Sequence, residues 1–534
     1  MDTMPRDFVT RCAKALPKKV AFYDGDRLST WSELNQRANQ FATALQSLGV
    51  NKGDVVAVLA HEHIEVYEHF HACLKLGTPR VGINWRFSEK EVKYVVDDAN
   101  VRVILVQQNC IELIQGLLET FNANGVLIIG FAGEHGLPLD YETLMSEQLN
   151  SSPNLPVLVE EDAVAISYTS GTTGSPKGAV LSQKALREAM VHTVLNIGLT
   201  SEDVWFAPTS SAWITFVLVS MNCVNGMPSV LPNGDFEPHR FLEFVNKYKV
   251  TSTIMVPLIM RRLIELIEDG GITLPSLRLI TFGSSPATPQ LIRKADEVFN
   301  CGLAQLYGVT EATGGWVTIM SPEDTKRGLA GEEHLLKSCG RPFLHFDIEI
   351  RDDNNRVCAA NTGGEIWLKS DTLMTKYLGL EEQTKDALQE GWLQTNDMGY
   401  LDDEGFLYLT DRKNNLIITG SANVFPSMVE NVLDEHPQIR EVAVVGVPHP
   451  EWDEAVVAVI IPHDVDAFNP EEIIAFSKTK MAKFEVPKAL VLVDDFPKGL
   501  TGKVLKKDIQ AMFKDGRLQV PWELPARPRY VPFV

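Results

Sequence analysis

Apolar positions at Leu34, Ala38, Phe41, Ala42, Leu45 and Leu48 recur at helical spacing, which predicts an amphipathic helix. Ser29-Thr30-Trp31-Ser32-Glu33 ahead of it has the spacing of a capping box, Ser29 or Thr30 before Glu33. Gly49 stops the helix. The pattern then shifts to short continuous apolar runs. Val55–Leu59 suits a buried parallel strand, and similar runs recur at 101–106, 125–129, 250–256 and 277–282. Strands alternating with helices predict a layered α/β architecture.

The rhythm changes near residue 410. Asp402-Asp403-Glu404-Gly405 is a tight-turn cluster in a β-rich stretch. A smaller unit follows, with strands expected at 442–447 and 456–461 and helices around Pro426–Leu433 and 470–483. The expected fold is therefore a large N-terminal domain of layered α/β subdomains with a β-rich portion (1–411) and a small, mobile α+β C-terminal domain (412–534). A hinge is expected near 412–415. The last residues, rich in proline and aromatics, read as an extended tail.

At 534 residues the chain exceeds one ordinary core, so two or more domains are expected. An apolar share of 45% and a charged share of 22% describe a soluble globular protein. The net charge of −21 argues against a nucleic-acid partner, which calls for a basic face. Anions can still be held, but only by local loops that oppose the global field. The seven cysteines are scattered, odd in number and without a CxxC pair. That pattern fits reduced thiols in the cytoplasm, not a disulfide framework or a zinc site. The N-terminus lacks an apolar signal core. The stretch 206–234 carries no charge, but prolines and polar residues interrupt it. A buried core or substrate wall is preferred there over a membrane span. His61, His63, His69 and His71 lack a spaced partner cluster and read as solvated helix-surface residues.

Tyr168-Thr169-Ser170-Gly171-Thr172-Thr173-Gly174-Ser175-Pro176-Lys177-Gly178 packs hydroxyls, glycines and a lysine between two strand-like runs. Such a loop can wrap a polyphosphate, with backbone N–H groups and hydroxyls donating and Lys177 opposing the charge. It is not the common nucleotide loop: G-x-x-x-x-G-K-[ST] begun at Gly171 requires glycine where Pro176 stands. The alternative is a flexible linker, against which the flanking strands weigh.

The loop closely resembles the phosphate-loop signature of the adenylate-forming superfamily, which includes acyl-CoA synthetases, adenylation domains and luciferases. Further segments follow in family order. Gly283-Ser284-Ser285-Pro286 makes a small-residue wall for a flat base. Gln305-Leu306-Tyr307-Gly308-Val309-Thr310-Glu311 resembles the adenylate-binding motif. Gly363-Gly364-Glu365 matches a glycine–glutamate turn, and Gly391-Trp392-Leu393-Gln394-Thr395-Asn396-Asp397 the ribose motif. Asp411-Arg412-Lys413-Asn414 and Gly420-Ser421 resemble the hinge and the thiol-arm channel, and Pro497-Lys498-Gly499-Leu500-Thr501-Gly502-Lys503 the catalytic-lysine motif.

The resemblance implies ATP, Mg²⁺ and CoA as reactants and cofactor. By it, Thr169 to Gly174 and Lys177 hold the β,γ-phosphates, and Tyr307 stacks on adenine beside Gly308. Thr310 donates to a phosphate and Glu311 holds Mg²⁺. Asp397 accepts from the ribose hydroxyls, Arg412 belongs to the nucleotide site, and Lys503 bridges the carboxylate and the α-phosphate. The small domain then rotates to admit a thiol, a two-state hinge movement.

Several positions depart from the pattern. Gln183 stands where many relatives carry histidine, Asn396 replaces the glycine of TGD, and Asp411 precedes Arg412 in place of glycine. Asn414 differs at the hinge and Ser421 replaces a channel glycine. These changes leave the adenylation residues intact and put the second half-reaction, or its acceptor, more in question. Thr209 stands nearest the aspartate of amino-acid-activating relatives, and the uncharged run 213–218, with Trp213 and Phe216, suggests a pocket for an apolar body or plain core packing. A fatty or aryl carboxylic acid is favoured. The leading expectation is an AMP-forming acyl-CoA ligase. The alternatives are an enzyme loading a separate carrier protein, a dead nucleotide-binding protein, and a luciferase-like oxidative step.

Overall fold

The structure, a computed structural model, describes residues 3–148, 152–169, 176–285, 287–412, 415, 417–419, 422–449, 452–498, 504–520 and 530–531. The helix predicted from the first periodic stretch spans Trp31–Ser47; Thr30 caps it and the Glu33 carboxylate accepts from the Thr30 N–H at 2.8 Å, closing the capping box. Gly49 follows with φ of 80°, a left-handed conformation that suits glycine.

Two large sheets form the body. In one, parallel strands Arg80–Ile83, Val55–Leu59, Val101–Gln107 and Leu127–Phe131 lie side by side. The hairpin of Ala163–Thr169 and Lys177–Ser182 continues its other edge, and Lys376–Tyr377 ends it. The other sheet carries Ser252–Met255, Leu279–Gly283 and Gly302–Gly308 in parallel register, with Trp316–Met320 antiparallel beside them. The apolar runs suit strands buried on both faces, since helices cover them. The run expected at 125–129 lies two residues later, at Leu127–Phe131, because Gly125 with φ of 77° belongs to the preceding turn.

A smaller antiparallel sheet contains Asp347–Arg351, Gly364–Lys369, Trp392–Leu401 and Leu407–Arg412. The expected turn at 402–405 joins its last two strands, with the Gly405 N–H donating to the Asp402 carbonyl at 3.0 Å. From Ile417 onward the strands belong to a fourth sheet, whose long hairpin pairs Ile439–His449 with Asp453–Pro462. Its helices run over Pro426–Leu433 and Pro470–Lys480, so the second stops three residues short of the expected 483. The tail adds a short strand, Tyr530–Val531, beside Leu492 and Val493. The layered α/β body and the small α+β unit match the architecture expected from the pattern.

The histidines are a correction. His69 and His71 are fully buried, because every residue of the helix Ile64–Leu76 is buried. The amphipathic helix Trp31–Ser47 packs directly on it. Burial pushes both imidazoles down to about 3, so they are neutral in the folded chain. Unfolded, they regain a value near 6.5. Between those values the unfolded chain binds more protons, so stability falls as pH falls below 6.5. The slope approaches about 1.4 kcal/mol per pH unit for each histidine. Urea midpoints from pH 7.5 to 5 are expected to drop, and His71→Gln to flatten the dependence; an unchanged slope contradicts the assignment.

The uncharged stretch 206–234 is interior. Its helix Phe216–Ser220 and strand Ser229–Leu231 are buried throughout. No helix among the described residues is long and apolar enough to cross a membrane.

Candidate functional site

The strands that flank the phosphate-type loop, Ala163–Thr169 and Lys177–Ser182, are antiparallel partners. Thr169 and Lys177 are register partners at the base of the loop, and the Thr169 hydroxyl donates to the Lys177 carbonyl at 3.5 Å. Two phenols brace this base: Tyr94 donates to the Pro176 carbonyl at 2.9 Å, and Tyr168 to Asp98 at 2.6 Å. Ser170, Gly171, Thr172, Thr173 and Gly174 lie outside the described residues, as do Pro286, Gly420, Ser421 and Lys503.

Lys177 meets the adenylate-type motif through a residue that the sequence did not single out. Tyr377 sits on the strand paired with Lys177–Ser182, opposite Ala179. Its hydroxyl donates to Glu311 Oε1 at 2.8 Å, and the Lys177 ammonium lies 5.1 Å from its ring centroid. Burial and the Glu311 carboxylate hold the Tyr377 phenol well above its ordinary value, so it stays a donor. The Glu311 backbone is fixed as well, since the Met374 N–H donates to its carbonyl at 2.7 Å. Thr310 opens the short turn Thr310–Ala312 beside it. A lysine, an oriented carboxylate and a hydroxyl thus converge. Hard oxygen donors of this kind suit Mg²⁺, which is typically held by one or two carboxylates plus substrate phosphates.

The expected nucleotide side draws on three strands. Gly283 ends its strand so close to its neighbour that an added Cβ would stand 2.3 Å from the Leu306 carbonyl oxygen. Ser284 follows with φ of 67°, and Ser285 is half-buried. A Cβ on Gly308 would stand 2.9 Å from the Gly315 carbonyl oxygen. The Tyr307 hydroxyl donates to Asp397 Oδ2 at 2.8 Å, joining the base-side and ribose-side motifs. Burial and Asp397 push the Tyr307 phenol well above its ordinary value. The Arg412 backbone lies opposite Asp397 in the sheet. Asn396 has φ of 61°, which explains why glycine or asparagine suits this place.

The acid-side residues divide. Trp213 is half-buried and meets Phe87 edge-on, with centroids 6.0 Å apart. Phe216 lies in the main core, its ring 4.7 Å from the Arg80 guanidinium. Gln183 is fully buried, and its side-chain amide has no hydrogen-bond partner among the described residues. Lys498 and Val504, which flank the lysine loop, form an isolated antiparallel bridge.

Residues 9–378 match the family described as AMP-binding enzyme, and residues 428–503 match its C-terminal domain. The chain belongs to the AMP-binding enzyme family. It is 30% identical over 521 residues to a 2-succinylbenzoate–CoA ligase of Bacillus cereus, covering 96% of this chain and all of the relative. It is 28% identical to the fatty acid–[acyl-carrier-protein] ligase ScoC of Streptomyces coeruleorubidus, over 91% of this chain and 92% of that one. The o-succinylbenzoate CoA synthetase of Bacillus subtilis, solved with its acyl-adenylate intermediate, superposes with a TM-score of 0.82 at 27% identity. That match covers 95% of this chain and 99% of the other. Tyr377 was hidden in the sequence because its place depends on strand register, which no local motif writes.

Removing the Tyr377 hydroxyl tests this arrangement. Tyr377→Phe is expected to raise the Mg²⁺ concentration needed for ATP binding by about tenfold to a hundredfold, the worth of one charge-assisted hydrogen bond. Calorimetric titration of ATP at several Mg²⁺ concentrations reads it; an unchanged Mg²⁺ dependence contradicts the role.

Proposed function

We propose that the protein is an AMP-forming acid–thiol ligase acting on an apolar carboxylic acid, fatty or aryl, with CoA as acceptor. The observation that carries this reading is the convergence of Lys177, Tyr377 and Glu311 on one side and of Tyr307 and Asp397 on the other.

A carboxylate is a poor acyl donor because its oxygen leaves badly. Its oxygen attacks the α-phosphorus of ATP, the bond to pyrophosphate breaks, and an acyl-adenylate remains. Charge spreads over the phosphoryl oxygens in the transition state, so fixed cations and donors supply most of the acceleration. Lys177 and the hydroxyls of Thr169, Ser170, Thr172 and Thr173 hold the β,γ-phosphates. Thr310 donates to phosphate, and Glu311 holds Mg²⁺ with Tyr377 fixing its carboxylate. When bound, the metal supplies positive charge to the phosphoryl oxygens. Gly283, Ser284, Ser285 and Pro286 flank the base, Tyr307 stacks on it beside Gly308, and Asp397 accepts from the ribose hydroxyls.

Lys503 bridges the attacking carboxylate and the α-phosphate. The small domain then rotates about the expected hinge at 412–415, withdrawing Lys503. The thiol reaches the acyl carbon past Gly420 and Ser421, AMP leaves, and the thiol proton passes to solvent. Trp213 and its neighbours provide the apolar wall for the acid. The free state of every cysteine supports a reducing compartment such as the cytoplasm.

A second acceptor is a carrier-protein thiol, favoured by the likeness to an acyl-carrier-protein ligase. Incubation with ATP, Mg²⁺ and a panel of fatty, aryl and amino acids, with CoA or a phosphopantetheinylated carrier, separates the two by mass spectrometry. Acyl-CoA from an apolar acid is the expected product. Adenylate that ignores CoA but loads the carrier moves the assignment to the second reading.

A further inference from the structure

We propose that Glu62 and Arg80, which lie outside the adenylate site, are positioning residues that set the shape of the acid pocket by gripping both sides of Ser211. This rests on the reading of 207–218 as the acid-side wall. Both side chains are nearly inaccessible, at 3% and 2% exposure. The Ser211 N–H donates to Glu62 Oε1, and Arg80 Nη2 donates to the Ser211 carbonyl at 2.9 Å. The second Glu62 oxygen accepts from the Tyr67 hydroxyl at 2.6 Å, so the carboxylate cannot swing away without orphaning a buried donor.

The loop is also held from beneath. Gly82 stands two residues after Arg80 on the same strand and so on the same face. A Cβ there would lie 2.6 Å from the Ala212 Cα and 2.9 Å from the Ser211 carbonyl oxygen. Just beyond the clamp, Ile214 presses on Gly314, where a Cβ would lie 2.4 Å from Ile214 Cγ1. Gly314 closely follows Thr310 and Glu311 in sequence. The grip on Ser211 therefore fixes the wall formed by Trp213 and Ile214 relative to the phosphate-side residues.

Packing alone gives a weak account of these charges. Replacing buried ionic groups by apolar side chains of similar size is often neutral or stabilising. What a carboxylate and a guanidinium add is direction: one takes the N–H of Ser211 and the other its C=O, so the local backbone orientation is set. The same clamp leaves Tyr307, Asp397 and Lys177 untouched, so its loss belongs to the acid side of the reaction.

Glu62→Ala removes one arm, Glu62→Gln removes only its charge, and Gly82→Ala displaces the loop without altering any charged group. Adenylate formation is measured with benzoate, 2-succinylbenzoate, octanoate and palmitate, varying acid and ATP separately. Glu62→Ala and Gly82→Ala are expected to raise KM for the best acid by about tenfold or more and to reorder the four acids, with KM for ATP held within about twofold. A merely structural role lowers the active fraction for all four acids alike and leaves KM and ranking unchanged; that result overturns the proposal. If Glu62→Ala does not fold, Gly82→Ala gives the same readout.

Amide hydrogen exchange tests the clamp without any acid. Exchange across 209–215 is expected to quicken by about tenfold or more in Gly82→Ala, while 305–311 keeps its rate. Unchanged exchange at 209–215 overturns the clamp, even where a failure to activate any of the four acids has already removed the functional reading.

Discussion

Lys503→Ala is expected to abolish acyl-adenylate formation from ATP yet leave thioester formation from a supplied acyl-adenylate nearly intact. The lysine is proposed to oppose charge on the α-phosphate and the incoming carboxylate at once, in a site where fixed charge is worth far more than in water. Loss of such a group costs about 10²–10³-fold in rate. In the second half-reaction the phosphoryl transfer is complete, and by the proposed rotation the small domain has carried the lysine away. The two half-reactions should therefore split. Pyrophosphate release and thioester formation, followed separately, read the difference. Equal loss in both sinks the assignment of Lys503 and the rotation with it.

Asp397→Ala carries the second large effect. The carboxylate is proposed to accept from both ribose hydroxyls, and each hydrogen bond to a charged group is worth about 1.5–3 kcal/mol. A fall of about 10²-fold or more in kcat/KM for ATP is the expected result. The same change removes the carboxylate acceptor of the buried Tyr307 hydroxyl, which donates to Asp397 at 2.8 Å. That adds a stability loss of about 1–3 kcal/mol. The two consequences can be separated, because Tyr307→Phe removes that hydroxyl. The double variant Tyr307→Phe/Asp397→Ala is expected to recover stability in urea while the ATP defect remains. Recovery of kcat/KM together with stability contradicts a ribose role for Asp397.

Local chemistry was legible where it is written within a few residues. The capping box at Thr30 and Glu33 and the turn at 402–405 are found as expected, since their hydrogen bonds join near neighbours. The buried strands of the body were legible from their apolar runs, with starts two residues later than expected at Leu127, Ser252 and Leu279. Contacts between distant segments were not legible from pattern. Tyr307 and Asp397 meet across 90 residues, and only the resemblance to adenylate-forming enzymes put both in one site. Tyr377 reaches Glu311 through strand register against Ala179, which the sequence does not spell. His69 and His71 misled because their helix, despite polar residues such as Glu65, Glu68 and Lys75, is buried on all sides. Glu62 and Arg80 escaped for a related reason: their partner is a backbone, and a backbone carries no motif.

The most direct test of the account is acid-dependent exchange of labelled pyrophosphate into ATP, without CoA, by the full chain. The account predicts exchange that requires both Mg²⁺ and an apolar carboxylic acid and disappears in Lys503→Ala, because only a reversible acyl-adenylate returns label to ATP. Thioester formation with no exchange under these conditions, or exchange that persists without any acid, would contradict it.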